Sequence, residues 1–276
     1  MKAPIQWPLE AIWEAVAPGL PGFSLEVLPQ IDSTNTELMR RARAGRLEPV
    51  LLVAEHQSAG RGRLGREWLS GPDAAQASDS LQAAPLASLT FSIGLPLAPH
   101  DWSGLSLAVG VSVAQSLHPE LRLKWPNDLW WRDRKLAGIL IETVSLGDSG
   151  AARYAVVGVG INIQPRDAAG LATPPAWLTE VLPGTTAPHT LLQVAVPLIH
   201  TLKAFEAVGF APYQARFNAL DALDGVPVSL SNGTLGVARG VDAGGALQVH
   251  TAQGLENITS SEISVRPQRP PSYDTL

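Results

Sequence analysis

The stretch Val50–Trp68, VLLVAEHQSAGRGRLGREW, sets the architecture. Its first six residues, Val50 to Glu55, form the short apolar run of a strand buried on both faces. The remainder, His56 to Trp68, holds three Gly and three Arg and breaks the strand. Open α/β sheets bind ligands beyond the ends of their strands, so this loop is placed to meet one. Gly60, Gly62 and Gly65 permit positive φ and close approach of the backbone. Arg61, Arg63 and Arg66 offer planar donor forks suited to carboxylate or phosphate. The loop has no GK[ST] and is not a P-loop, nor is it a dinucleotide fingerprint. Chemistry alone leaves two other readings open, a solvated basic loop and an Arg-Gly segment that contacts RNA.

Reading toward the N-terminus, Asp32-Ser33-Thr34-Asn35 offers several capping residues, with a helix from Thr36 to Ala44 stopped by Gly45. Residues 1–30 read as an extension. Leu9, Ile12, Trp13 and Val16 have helical spacing, Pro18-Gly19 ends that helix, and Leu25 to Leu28 is a strand.

Reading toward the C-terminus, residues 69–88 (LSGPDAAQASDSLQAAPLAS) look like a mobile insertion. Strands are expected at Leu89–Leu95 and Leu121–Lys124, with a buried helix at Trp102–Leu117 between them. Lys135–Thr143 and Tyr154–Ile163 pair as a hairpin across the Gly147–Gly150 turn. A Pro-rich connection, 164–189, leads to a helix over Thr190–Val208, disturbed at Pro197, and a second over Pro212–Leu223. From Gly225 onward the texture changes to short strands at 226–230, 234–241, 246–250, 254–258 and 263–266, separated by Gly turns. The organisation expected is an extension at 1–30, a ligand-binding domain at 31–223, a small all-β barrel at 224–268 and a tail at 269–276.

The chain has 276 residues, 45% hydrophobic and 16% charged, which excludes wholesale disorder. Its formal charge of −5 argues against a globally basic nucleic-acid binder. Cys is absent, so there is no disulfide framework, thiolate metal site or cysteine nucleophile. The six His are scattered without HxxxH spacing, which argues against a His-built metal site. No run approaches the ~18 apolar residues of a membrane span, and no signal peptide is evident. The expectation is a soluble cytoplasmic protein with no membrane partner.

Three further motifs carry chemistry. Lys124-Trp125-Pro126-Asn127-Asp128 ends a strand with a cation, an amide and a carboxylate. On spacing alone it is equally a strand-end turn with a surface Lys. Ser33-Thr34-Asn35 taken alone is a helix N-cap. Gly158-Val159-Gly160-Ile161-Asn162 is a weak phosphate cradle, but a reasonable Gly-thinned strand for a flat ligand to lie across.

Taken in order, these motifs, together with Gln57 and Lys135-Leu136-Ala137-Gly138-Ile139-Leu140-Ile141-Glu142, resemble the biotin protein ligases. Val237–Asp242 and Glu262–Arg266 resemble that family's C-terminal barrel. The match covers roughly residues 28–267, and it is the ordered set of five motifs that makes it specific. The resemblance implies an α+β fold. A mixed-sheet catalytic domain, related to class II tRNA synthetases and lipoate ligases, is followed by an SH3-like barrel. It also implies two half-reactions: biotin and ATP give biotinyl-5′-AMP, which then acylates a lysine of a biotin carboxyl carrier domain.

By the same resemblance Ser33, Thr34, Asn35, Gln57, Gly60, Arg61, Gly62, Arg63, Lys124 and Gly138 fall on the biotin side. Arg63, Arg66, Trp68, Asn127, Lys135 and Asn162 fall on the ATP side, with Trp68 stacked on adenine. Lys124, Arg63 and Arg61 are the residues expected to carry the reaction, Lys124 bridging the carboxylate and the α-phosphate. This assignment makes physical sense. Hydroxyls and amides satisfy a neutral ureido ring, and cations screen two anions that must meet. Mg²⁺ is expected on the triphosphate, with no protein ligand assigned. With thirty residues before the first motif, the chain resembles the monofunctional members and no DNA binding is expected. A single chain and a homodimer both remain open. The competing readings are a lipoate or octanoate transferase on the same fold, an RNA-binding module and a biotin-responsive repressor.

Overall fold

A computed structural model describes residues 4–70, 86–147, 152–165, 173–259 and 265–268. Seven strands form one sheet. In spatial order they are β1 (Ser24–Ile31), β2 (Val50–Gln57), β3 (Ser88–Leu97), β7 (Arg153–Asn162), β6 (Arg134–Ser145), β5 (Asp128–Trp131) and β4 (Arg122–Lys124). β1 and β2 are parallel and every other neighbouring pair is antiparallel, so the sheet is mixed.

Alternation along the strands sorts the core into two layers. Leu51, Val53, Phe91, Ile93, Val157 and Val159 face α1 (Leu9–Val16), α3 (Leu105–Leu117) and α5 (Ala187–Val208). Val50, Leu52, Tyr154 and Val156 face the single helix α2 (Thr34–Arg43), through Leu38, Met39 and Ala42. One short helix covers much less sheet than three, so part of the α2 face is left for a cavity.

Several boundaries differ from those read in the sequence. Residues 4–30 are not an appendage: β1 is the parallel edge strand of the sheet, and Ile12, Val16, Leu20 and Phe23 are buried in the main core. α5 runs unbroken through Pro197. Leu191, Val194, Leu198, Leu202 and Phe205 are fully buried, and burial at ~1.5–3 kcal/mol per side chain outweighs the ~3 kcal/mol cost of an internal proline. This helix is apolar and long enough to cross a membrane by length and composition, but the same apolar residues make the core of the sheet domain. The helix expected over Pro212–Leu223 is shorter, α6 (Gln214–Leu220). Beyond it the backbone is captured by β4, with Ala222 N–H donating to Leu123 C=O at 2.8 Å. Of the expected 69–88 insertion, residues 71–85 lie outside the described residues, as do 148–151 of the hairpin turn.

The C-terminal unit is a five-stranded antiparallel sheet. Its order is β11 (Gly254–Ile258), β10 (Leu247–Thr251), β9 (Leu235–Val241), β8 (Pro227–Leu230) and β12 (Val265–Pro267). Its buried Val228, Ala238, Val241, Leu247 and Val249 are continuous with the main core. Polar contacts fix it. Asn218 Oδ1 accepts from Val241 N–H at 2.9 Å, and Trp125 Nε1–H donates to Gly245 C=O at 3.1 Å. Gly245 must be glycine: its φ is +83°, and a Cβ would lie 2.8 Å from Gly104 Cα. The barrel is thereby held against the Lys124–Asp128 turn.

Candidate active site

A cavity of about 120 Å³ opens on the α2 face, among the N-terminus of α2, the end of β2, the Gly-Arg loop and strands β6 and β7. Its two ends differ in chemistry.

One end is neutral and hydrogen-bonding. Ser33 caps α2, its Oγ accepting from Thr36 N–H at 3.4 Å, while its side chain also lines the cavity. The cap reading and the binding reading are therefore both correct for this residue. Thr34 N–H donates to Gln57 Oε1 at 2.8 Å, and the Thr34 hydroxyl lies 3.1 Å from the same oxygen. That occupies the Gln57 carbonyl, so its Nε2 amide donors are the part left for a ligand. Gln57 is itself held by Ser70, whose Oγ accepts from Gln57 N–H at 2.8 Å; Ser88 Oγ–H in turn donates to Ser70 C=O at 3.2 Å. The start of the 69–88 segment is thus pinned behind the binding residues. Ser33, Thr34, Asn35 and Gln57 are all buried.

The other end is cationic. Arg61, Arg63, Arg66 and Lys135 line it against two carboxylates, Glu67 and Asp128. A wall with four cations and two anions, in a chain of net charge −5, suits a polyanion. The Gly-Arg loop is a small hairpin. Arg61 and Glu67 are antiparallel backbone partners, Gly62 N–H donates to Arg66 C=O at 2.7 Å, and Trp68 N–H donates to Gly60 C=O at 2.9 Å. Its positive φ angles fall at the tip, on Leu64 and Gly65, and not on Gly60 or Gly62. Gly60 is required for space, because a Cβ there would collide with Trp68 C=O.

The floor between the ends is glycine-thinned sheet, as the Gly158–Asn162 motif suggested. The flat group lying on it is the Trp68 indole: a Cβ on Gly160 would collide with the ring, and one on Gly138 would lie 3.3 Å from it. Lys135 Nζ stands 5.9 Å from the ring centroid and pairs with Asp128 Oδ1 at 2.6 Å.

Of the fifteen expected site residues, Gly60, Lys124 and Asn162 do not line the cavity. Lys124, at the end of β4, is not among its lining residues; it packs 5.3 Å from the Trp130 ring centroid. Burial pushes its ammonium below the ordinary lysine value, Asp128 opposes that, and Lys135, Arg66 and Arg266 add to it. Burial likewise lowers Arg63, again opposed by Asp128. Asn162 also lies off the wall, and its Nδ2 donates to Lys135 C=O at 3.2 Å, steadying the strand that carries Lys135. Asn127 does line the cavity, with Nδ2 donating to Ile139 C=O at 2.7 Å. The expectations missed Thr90, Asp128 and Glu67 on the wall, and Ser92 immediately behind it. The alternation of Leu89-Thr90-Phe91-Ser92-Ile93 placed both polar residues on one face and was the available signal.

Comparison with known proteins agrees with this geometry. Residues 27–162 match the model of the biotin/lipoate A/B protein ligase family, and 226–266 match the biotin protein ligase C-terminal domain. The chain is 37% identical over 263 residues to the bifunctional ligase/repressor BirA of Escherichia coli, covering 90% of this chain and 75% of that protein. It is 32% identical over 247 residues to the biotin–[acetyl-CoA-carboxylase] ligase of Paracoccus denitrificans, covering 86% and 98%. Among solved structures, the biotin protein ligase of Aquifex aeolicus in complex with biotin and ATP superposes with a TM-score of 0.70 at 28% identity, covering 89% of this chain and 99% of that one. The mixed sheet, the five-stranded C-terminal unit and the two-ended cavity thus stand in a chain that belongs to the biotin protein ligase family.

Proposed function

We propose that this protein activates biotin with ATP and transfers it to a lysine of a biotin carboxyl carrier domain. The observation that carries this is the polarity of the cavity. Its neutral end, with Ser33, Thr34 and Gln57, suits a ureido ring, and its cationic end suits a carboxylate meeting a triphosphate.

In the first step a carboxylate oxygen of biotin attacks the α-phosphorus of ATP, a P–O bond forms, and pyrophosphate leaves with the electron pair of the bond it breaks. Arg61, Arg63 and Lys135 screen the two anions and hold them in line. We assign the reacting carboxylate to Lys135, which lines the cavity, rather than to Lys124; Lys124 contributes from behind through Asp128. Trp68, beside Lys135 on the glycine floor, is the ring available for stacking on adenine. In the second step the neutral amine Nζ of the carrier lysine attacks the acyl carbon, AMP leaves with the electron pair of the acyl–oxygen bond, and the nitrogen loses a proton to solvent. The Gly-Arg hairpin shields the mixed anhydride from water between the steps.

Mg²⁺ arrives as part of the ATP substrate. Among the described residues no group of three His, Cys, Asp or Glu could hold a metal, and Mg²⁺ commonly binds phosphates and waters with one or two carboxylates. Asp128 and Glu67 are the carboxylates in reach of that end. The acetyl-CoA carboxylase carrier is the partner class named for the Paracoccus relative. With a net charge of −5, operator DNA should not be retained at ~0.15 M salt. Sedimentation with and without biotin and ATP decides between monomer and homodimer.

ATP–pyrophosphate exchange tests the reading. Biotin should support exchange, while lipoate and octanoate, which have no ureido ring to satisfy Thr34 and Gln57, should not. Exchange with lipoate at the biotin rate would replace this reading with a lipoate ligase. The RNA reading has less support now that the Gly-Arg loop is a paired hairpin walling a cavity.

A further inference from the structure

A second cavity, of about 320 Å³, opens where β6 passes the first turn of α3, beside Trp125-Pro126 and Gly245 of the C-terminal unit. Gly138 and Leu140 of β6 line the active cavity, whereas Ile141 and Thr143, of opposite parity along the strand, line this one. The two cavities therefore lie on opposite faces of β6. Arg63 and Ile139 border both. The two half-reactions leave the second cavity without a role.

Its charged groups are Arg63 and Arg153, and no Asp or Glu lines it. Arg153 is half-buried at the start of β7, its Cζ 5.4 Å from the centroid of the Trp102 ring. Its Nε is buried with no hydrogen-bond partner, and it has no ion pair among the described residues. Stacking on the indole fixes the plane of the guanidinium, so its N–H edge is set before a ligand arrives. A charge drawn partly out of water with no counter-charge is costly, and a bound anion offsets that cost. Much of the remaining wall is apolar, from Trp102, Leu105, Leu107, Trp125 and Ile141. The Ser106 hydroxyl already donates to Pro126 C=O at 3.2 Å. No Asn or Gln lines this cavity, so it lacks the amides that the active cavity offers to a ureido ring.

We propose that this cavity is a separate binding site for a small monocarboxylate with an apolar body, such as a medium-chain aliphatic acid. Arg153 holds the carboxylate, and the body lies against Trp102, Leu105 and Ile141. The guanidinium fork matches a carboxylate, and the apolar walls match a chain that water expels. A triphosphate would bring more charge than two Arg balance and would set it against apolar walls. An acidic side chain of a docking protein would satisfy Arg153 but leave most of the 320 Å³ unfilled. The site does not depend on the ligase reading of the active cavity, because it shares neither the α2 cap nor the glycine floor.

The test is calorimetric titration of the full chain with octanoate, with its neutral amide octanamide and with inorganic pyrophosphate, each with and without saturating biotin. Octanoate should bind at one site, with the same Kd whether or not biotin is present. Octanamide and pyrophosphate should bind at least tenfold more weakly, the first for want of charge and the second for want of an apolar body. Two variants reach the site by independent routes: Arg153→Ala removes the fork, and Thr143→Phe fills the space. Circular dichroism melts confirm that each is folded. Both should weaken octanoate roughly ten- to a hundredfold while pyrophosphate exchange with biotin stays within about twofold of wild type. Octanoate displaced by biotin, or bound unchanged by both variants, would place it elsewhere and overturn the inference. So would octanamide binding as tightly as octanoate, or no octanoate binding at all. An Arg153→Ala that raised only the KM for the carrier would make the cavity a docking surface instead. Failure of biotin-dependent exchange in the wild type overturns the ligase reading and leaves this site to be judged on the titrations.

Discussion

The two ends of the cavity are built on different foundations. Ser33, Thr34, Asn35 and Gln57 stand on a helix cap and a strand end, are buried, and are tied to one another and to Ser70 and Ser92. Arg61 and Arg66 stand exposed on a hairpin, and Arg63 is only half-buried. Selecting a neutral ring needs fixed donors and acceptors, because a misdirected buried hydrogen bond costs as much as it gains. Meeting two anions whose charge shifts during reaction needs cations that can approach and withdraw. Lys135 is the exception at the cationic end, since it stands on a strand and is held by Asp128.

That exception yields the largest expected effect. Lys135→Ala should slow biotinyl-adenylate formation by ~10²–10³, the usual loss for one electrostatic contact to a transition state. Lys124→Ala should lose less, being set back from the wall. Single-turnover formation of the adenylate measures both, and a greater loss in Lys124→Ala would return the reacting carboxylate to Lys124.

At the rigid end, Gln57→Leu should raise the KM for biotin roughly ten- to a hundredfold with little change in kcat, as fits a group that binds ground state and transition state alike. A fall in kcat at unchanged KM would mean that this end takes part in the chemistry.

Arg63→Gly removes a cation from the loop without touching the strand-borne Lys135. The variant should still form adenylate, within about tenfold of wild type, but release it. Stray biotinylation of an unrelated lysine-rich protein is the readout. Complete loss of adenylate formation would show that the loop cation is as essential as the strand cation.

The smallest effect concerns the frame behind Lys124. Asp221, at the seam between the two units, has Oδ2 buried without a partner, and burial pushes its pKa from 3.8 to about 6. The folded state therefore takes up a proton where the unfolded state does not, and the group destabilises the fold above pH 6. Stability should rise as pH falls from 7 toward 4. Asp221→Asn should raise stability by about 1 kcal/mol at pH 7.5, part of the relief being offset by an amide still short of a partner, and this gain should shrink below pH 6. Thermal melts across that range check the sign; a gain that grows on acidification would be the opposite result.

Much of the cavity was legible in local sequence. The run Val50–Glu55 followed by the Gly-Arg loop marked a strand delivering a ligand loop, and the glycines at 158 and 160 marked a thinned floor. Lys124 and Lys135 were harder. Each sits in a motif with a cation on or beside a strand, and local spacing does not show which one reaches the cavity. The strand register pairs Lys124 with Asp128 and Lys135 with Trp130, and it is the Lys135–Asp128 ion pair that lies on the cavity wall. The N-terminal thirty residues were misjudged for a similar reason. Their helix and strand were visible, but a parallel pairing of β1 with β2 leaves no hairpin turn in the sequence to announce it.

What the sequence determined by itself is what depends on near neighbours along the chain: the period of the strands and helices, the α2 cap, the barrel's turns and the order of the ligand motifs. What only the tertiary structure decided depends on groups brought together from far apart. Thr34, Ser92, Asn35 and Glu142 span more than a hundred positions, and none of them alone carries a signal of a shared hydrogen-bonded cluster. The cluster forms because donors and acceptors come within 3 Å of each other. Those contacts exist only once helix α2 has been laid across strands β3 and β6.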